Sequence, residues 1–186
     1  MNPHFLFNTL NTIYALAYTK SDAAPGAILK LSELMRYMLY DSNSAEQPGA
    51  AGGPARVPLS KEVTYLENFV ELEKLRVVNA HVQFSIEGNT DLFRIEPLLL
   101  VSFVENAFKH GDLTDANQPL VIDLSVRNGS LRFDTLNKKT SRHTDAVGGI
   151  GLANVRRRLA LLYPNRHTLR IIDEPDSYAC SLELSL

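Results

Sequence analysis

Cysteine is nearly absent from this chain: Cys180 is the only one in 186 residues. No intramolecular disulfide can form, which points to a reducing compartment and a fold held by its core. The residue sits in the alternating run YACSLELSL, where a small buried hydrophobe fits. Net charge is nearly absent as well. A formal value of −2 excludes a global field that would recruit nucleic acid or a membrane surface, so any anion site must be local. Long apolar runs are missing: the longest, PLLLVSFV, falls far short of the ~20 residues that cross a bilayer. No basic-apolar-small leader pattern opens the chain, and no internal repeat runs through it. What is present is a 45% hydrophobic composition, enough to bury a core. The chain starts directly at a motif and reads as a piece of a longer protein.

Apolar spacing predicts a helix from Pro3 to about Thr19, with Leu6, Phe7, Leu10, Ile13, Tyr14 and Ala17 on its stripe, Asn2 as N-cap and Pro3 at the first position. SDAAPG punctuates, and Ile28, Leu31, Leu34, Met35, Met38 and Leu39 make a second stripe. A hairpin of two short helices, residues 1–43, is too thin to bury both faces, so it should pack on another copy or another domain. Residues 44–58 are rich in glycine, alanine and proline and read as a flexible linker. LSKEVTYLENFVELEKLR predicts a third helix with Val63, Leu66, Phe69, Val70 and Leu72 inside, and EPLLLVSFVENAFKHG a buried fourth. HVQFSIEG reads as a strand, and LVIDLSVRNGSLRFDTL as a hairpin about an Asn-Gly turn. GIGLANVRRRLALLYP predicts a helix stopped before Pro164, and HTLRIIDE and YACSLELSL two closing strands. Segregated helices and strands make the fold α+β, a two-layer sandwich over residues 59–186 behind the hairpin.

Three stretches carry chemistry. In VENAFKHG, Glu105, Asn106, Lys109 and His110 bring polar groups onto an apolar helix, the last three on one face. An amide oxygen suits Mg²⁺ and a lysine suits the phosphates it bridges, but spacing alone fits the polar end of a half-buried helix equally well. In VGGIGLANVRRR, Gly148, Gly149 and Gly151 run into a helix whose first N–H groups could receive an anion. The order is that of neither a P-loop nor a Rossmann turn, so a purely conformational role stays open. The tract NKKTSRHTDAV before it has no hydrophobic period and reads as a mobile lid. Arg156, Arg157 and Arg158 suit a solvated face, one of them able to fork a phosphate. His81, His143 and His167 have no acid or cysteine at ligand spacing. At the start of the chain, His4 has Asn8 one turn on and Asn11 about two turns on. That strip fits a structural histidine or a nucleophilic imidazole oriented by an amide.

Taken together and in this order, NPHFLFNTLN, VENAFKHG and GGIGLANVRRRLALLYP resemble the LytS-type sensor histidine kinases, whose ATP-binding half is a GHKL-type α/β sandwich. The match covers nearly the whole chain. The resemblance implies a two-layer sandwich with a mixed, mainly antiparallel sheet. It implies ATP and Mg²⁺ as cofactors, His4 as phosphoacceptor, Asn106 as the metal-binding asparagine, and Lys109 and His110 on the phosphate side. Gly149 and Gly151 match the turn from lid to helix, which Leu152 and Asn154 continue. Also implied are a homodimer, phosphotransfer to a response regulator, often of the LytTR type, and no direct contact with nucleic acid. The chain would be the cytoplasmic domain of a bacterial inner-membrane protein, touching the membrane only through upstream segments.

Two departures stand against that pattern. The family's DNGxG acid, which holds the adenine amino group, is replaced: FDTLNKK leaves Asn137 or Leu136 there, with Asp134 a substitute whose facing alternation does not decide. A neutral acceptor is weaker than a carboxylate, which lowers the expected nucleotide affinity. Phe5, not an acid, follows His4, so either Asn8 orients the ring while solvent takes the proton, or Glu105 assists. Ser102 stands where ATPases of the fold carry a water-activating glutamate, which favours transfer to protein over hydrolysis. The expected activity is an autophosphorylating protein-histidine kinase. The alternatives are a nucleotide-poor pseudokinase serving as a dimeric interaction module, and a GHKL ATPase or serine kinase, which leaves the His4 hairpin unexplained.

Overall fold

The computed structural model describes residues 3–41, 56–140 and 150–186. Helices α1 (Pro3–Tyr18) and α2 (Ala23–Arg36) form the hairpin, and α2 runs into a π-helical turn at Tyr37–Asp41. Strand β1 (Val57–Pro58) leads into α3 (Leu59–Arg76), followed by β2 (Val82–Glu87), β3 (Arg94–Ile95) and α4 (Val101–His110). The chain closes with β4 (Leu120–Arg127), β5 (Ser130–Lys138), α5 (Ile150–Leu162), β6 (His167–Asp173) and β7 (Ser177–Ser185).

The main sheet has the order β2-β4-β5-β7-β6; β2 and β4 run parallel and every other neighbouring pair antiparallel. The mixed, mainly antiparallel sheet expected from the sequence is therefore present. Period-two alternation decides its faces. Leu120, Ile122, Leu124 and Val126 of β4, Leu131, Phe133, Thr135 and Asn137 of β5, and Cys180, Leu182 and Leu184 of β7 are all buried on one side. That side carries α4 and α5. Asp123, Arg132 and Glu183 point the other way, and Arg132 pairs with Asp134 at 2.7 Å. The β4–β5 turn is the expected Asn128-Gly129, both with positive φ, as a tight hairpin requires.

Several expectations are corrected. Helix α2 starts at Ala23, so Pro25 and Gly26 lie in its first turns rather than in a break; proline is tolerated there because those N–H groups have no helical partner. The fourth helix starts at Val101 rather than at Glu96, because Leu98 takes a left-handed φ of 57°. Val57 and Pro58, expected to end the linker, form β1 and pair with Ile95 and Arg94. Residues 42–55 and 141–149, most of the linker and of the expected lid, lie outside the described residues, as does the expected cap Asn2.

The stripe read on α1 divides between two faces: its Ile13 packs inward with Phe5 and Thr9 and its Leu6 lies against the core, whereas Phe7, Leu10, Tyr14 and Ala17 are exposed, as is Tyr18. On α2 the buried set is Ala24, Ala27, Leu31 and Leu34, with Ile28, Leu29 and Met35 outside. The hairpin thus uses one apolar face on α3 and, among the described residues, keeps a second exposed. The inner contact is aromatic: Phe5 stacks on Phe69 at 4.7 Å between centroids, and Tyr37 lies 5.0 Å from Tyr65. Asn68 adds a hydrogen bond to Glu33 at 2.8 Å.

At the far end of the hairpin, buried polar groups meet. Glu62 of α3 is fully buried; it accepts from the Tyr37 hydroxyl at 2.6 Å and from the N–H groups of Leu98 at 3.0 Å and Leu100 at 3.3 Å. Arg158 of α5 donates to the carbonyls of Pro97 at 2.9 Å and Leu98 at 3.2 Å. The left-handed Leu98, costly for a branched side chain, is thus clasped on both sides. Of the three arginines at the end of the glycine motif, Arg158 holds this turn.

Candidate active site

A cavity of about 580 Å³ opens between α1, α3, α4 and the start of α5, within the range of small-molecule sites. Phe5 of α1 stacks on Phe69 of α3, and Phe69 meets Phe108 of α4 edge-on at 6.2 Å. This aromatic chain fixes the first turn of α1 against both helices. His4, next to Phe5, therefore lines the cavity together with Asn8. The Asn8 amide nitrogen lies 3.1 Å from His4 Nδ1 and 3.4 Å from Nε2, so the side chain one turn on orients the ring.

The opposite wall is one face of α4. Ser102, Glu105, Asn106 and Lys109, spaced by three and four residues, line the cavity with His110. Among the described residues, Asn106 and Lys109 have no side-chain hydrogen bond or ion pair, and both remain available to a ligand. Burial pushes the Glu105 carboxyl up, and the nearby Glu73 adds to the shift. Burial and Lys109 push the His110 imidazole down.

Helix α4 ends at Gly111, whose N–H bonds to the Ala107 carbonyl at 2.8 Å. Asn137 on β5 lies beside it, buried, donating to the Lys138 carbonyl at 2.9 Å. Of the positions considered for the missing acid, Asn137 faces inward at this helix end and Leu136 faces out at 46% exposure. Asp134 is on the outer face with Arg132, which removes it as a substitute. A Cβ at Gly111 would sit 2.5 Å from the Ala107 oxygen and 3.2 Å from Asn137 Nδ2. Gly111→Ala is accordingly expected to cost about 1–3 kcal/mol, which thermal melting checks.

Gly151 and Leu152, in the first turn of α5, close the cavity. Gly149 lies outside the described residues. Asn154 is exposed, and neither it nor Asn137 lines the cavity. Sequence reasoning missed Glu73 and Arg76, which line it from α3. The signal was present in ELEKLR, where a carboxylate and a guanidinium stand three residues apart, but the helix was read through its apolar stripe alone.

The donor set fits a metal that arrives on a triphosphate. Among the described residues no cluster of three or more histidines, cysteines or acids could cage an ion. The amide oxygen of Asn106 suits Mg²⁺, which keeps waters and takes the rest of its shell from phosphates.

Residues 1–81 match the model of the family described as histidine kinase. Over 186 aligned positions, 92% of this chain, the sequence is 30% identical to sensor protein LytS of Staphylococcus saprophyticus. The chain is thus similar to histidine kinases along most of its length. Other kinase relatives are sensor protein LytS of Enterococcus faecalis, 29% identical over 88% of this chain, and sensor protein kinase HptS of Staphylococcus aureus, 27% identical over 83%. The chain spans 30%, 28% and 26% of these three proteins. Among solved structures, the Acinetobacter baumannii histidine kinase AdeS matches with a TM-score of 0.51 at 12% identity, over 98% of this chain and 97% of that one. A nucleotide-free catalytic domain of histidine kinase ThkA matches at 0.50 and 17% identity, over 70% of this chain and 94% of that one. These likenesses establish the histidine kinase fold. The nucleotide-poor interaction module draws no support from such relatives. Among the described residues no helix is long and apolar enough to cross a membrane.

Proposed function

We propose that this chain is the catalytic core of a sensor histidine kinase, in which His4 takes the γ-phosphoryl group of ATP within its own protomer and passes it to an aspartate of a response regulator. One observation carries the reading: a single cavity is lined by His4, Asn106, Lys109 and Gly151 of the same chain. In this division of labour residues 1–43 are the acceptor hairpin and residues 59–186 the nucleotide-binding domain. The exposed apolar face of α1 and α2 is the surface for a second copy in a homodimer. The regulator is of the LytTR type, and segments outside the chain tether it to the inner membrane.

Asn106 would hold Mg²⁺ through its amide oxygen. When bound, that ion neutralises charge on the phosphates. Lys109 pairs the phosphate oxygens, His110 lies on the same side, and the first turn of α5, at Gly151 and Leu152, offers N–H groups to the anion, with Gly149 ahead of that turn and Asn154 after it in the sequence. Asn137, buried beside Gly111 at the end of α4, takes the place of the adenine-holding acid from outside the cavity lining. Asn8 orients the His4 ring. An imidazole nitrogen bonds to the γ-phosphorus as the bond to the β–γ bridging oxygen breaks, ADP leaves with the electron pair, and Glu105 takes the ring proton.

The test is incubation with Mg²⁺ and γ-labelled ATP. Wild type is expected to take up label that survives alkali and is lost in acid, and absence of label overturns the proposal. Mixing His4→Ala and Asn106→Ala chains distinguishes the route. Transfer within a protomer predicts that the mixture stays unlabelled, whereas recovery of label shows transfer between protomers.

A further inference from the structure

Resting on the kinase reading above, we propose that Arg76 is a further catalytic residue: its guanidinium, anchored by Glu73, holds the phosphoryl group while it passes from ATP to His4. Arg76 and Glu73, on α3, line the same cavity as His4 and Asn8. The anchoring is one-sided. Arg76 Nε donates to Glu73 Oε2 at 3.0 Å and Nη2 donates to the same oxygen. A guanidinium has five N–H donors in a rigid fork, so three are left over. Among the described residues they have no partner, and the side chain is 36% exposed, whereas that of Glu73 is 6% exposed.

The neighbouring pair Lys74–Glu71 shows what an ordinary pair at this spacing looks like: both members are exposed, at 38% and 47%, and it lies outside this cavity. Glu73 differs because a buried carboxylate left alone is costly, which makes it a fixed post for its arginine. Around the cavity Glu73 and Glu105 are the acids, and Glu105 feels Glu73. Without Arg76, the α3 side would meet incoming phosphate with negative charge only. With it, three free N–H groups present a fork matched to two oxygens of one phosphoryl group. In the transfer the nitrogen–phosphorus bond to His4 forms, the bond from phosphorus to the bridging oxygen breaks, ADP takes the electron pair and Glu105 the ring proton. Arg76 makes and breaks no covalent bond; it stabilises charge on the equatorial oxygens.

The experiment measures autophosphorylation of His4 against Mg·ATP concentration, Mg·ADP binding and thermal melting for wild type, Arg76→Lys, Arg76→Gln, Glu73→Gln and the double variant Glu73→Gln/Arg76→Gln. Arg76→Gln is expected to lower the maximal rate by about 10²–10³-fold, with Mg·ADP affinity within about threefold of wild type because ADP lacks the γ-phosphate. Arg76→Lys keeps the charge but not the fork and recovers only part of the rate. The double variant has no orphaned carboxylate, so it regains melting temperature without regaining rate. An Arg76→Gln chain with wild-type rate, or a double variant whose rate returns with its melting temperature, overturns the proposal. Failure of wild type to label is a different result: it overturns the kinase reading itself.

Discussion

His4→Ala is expected to abolish acid-labile phosphate incorporation while leaving melting temperature and Mg·ADP affinity near those of wild type. The imidazole is exposed in the first turn of α1, within hydrogen-bond distance of the Asn8 amide. Alanine is the best helix former, so the substitution removes a nucleophile without weakening the helix that carries it. The aromatic contact of Phe5 with Phe69, which positions that turn, is untouched. Loss of label with unchanged folding would therefore report chemistry rather than structure. Label that persists and resists acid would identify a hydroxyl acceptor elsewhere and refute the assignment. Glutamine at the same position supplies bulk and polarity without a nucleophilic ring nitrogen, and should be equally inert.

The largest loss of stability is expected from Glu62→Ala. Its carboxylate accepts from the Tyr37 hydroxyl and from the Leu98 and Leu100 N–H groups in a fully buried position. Alanine leaves all three donors without that acceptor and opens a void, for a total of about 4 kcal/mol or more. In a chain of this size that lowers the melting temperature by about 10 °C. Burial pushes the Glu62 carboxyl above the usual carboxylate range, against the opposing pull of Tyr37, the two N–H groups and Arg158. A carboxyl raised on folding contributes stability that is fully present below its unfolded value and is lost as pH rises through its folded value. The margin of wild type over Glu62→Gln should accordingly narrow as pH rises above the ordinary carboxylate range. Denaturant unfolding across that rise is the measurement, and a margin that widens would show that the ionised form is the stabilising one.

The two-layer domain was legible because its signals are local. Alternation in β4 and β5 and the Asn128-Gly129 turn dictate the hairpin, and the apolar spacing of Val63, Leu66, Phe69, Val70 and Leu72 is the buried face of α3. The hairpin stripes were misjudged because α1 and α2 are apolar on two sides, and spacing cannot rank one side above another. Phe5 packs inward and Phe7 does not, a choice made by Phe69 far along the chain. Of the site, His4, Asn8, Glu105, Asn106, Lys109, His110, Gly151 and Leu152 converge on one cavity. Glu73 and Arg76 escaped because an ion pair three residues apart is common on any helix surface. Only the packing of α1 against α3 turns this one into a wall. Glu62 escaped for a related reason: a buried carboxylate in an amphipathic helix looks like an error until its three donors, from distant segments, are in place.

The junction of Tyr37, Glu62 and Leu98 ties the two halves of the chain mechanically. Any torsion of the hairpin that draws the phenol away strips a buried carboxylate of one donor, and any loosening at the start of α4 strips it of the other two. The posture of the hairpin and the order of the helix bearing Asn106 therefore share one free energy, and each must respond when the other is perturbed.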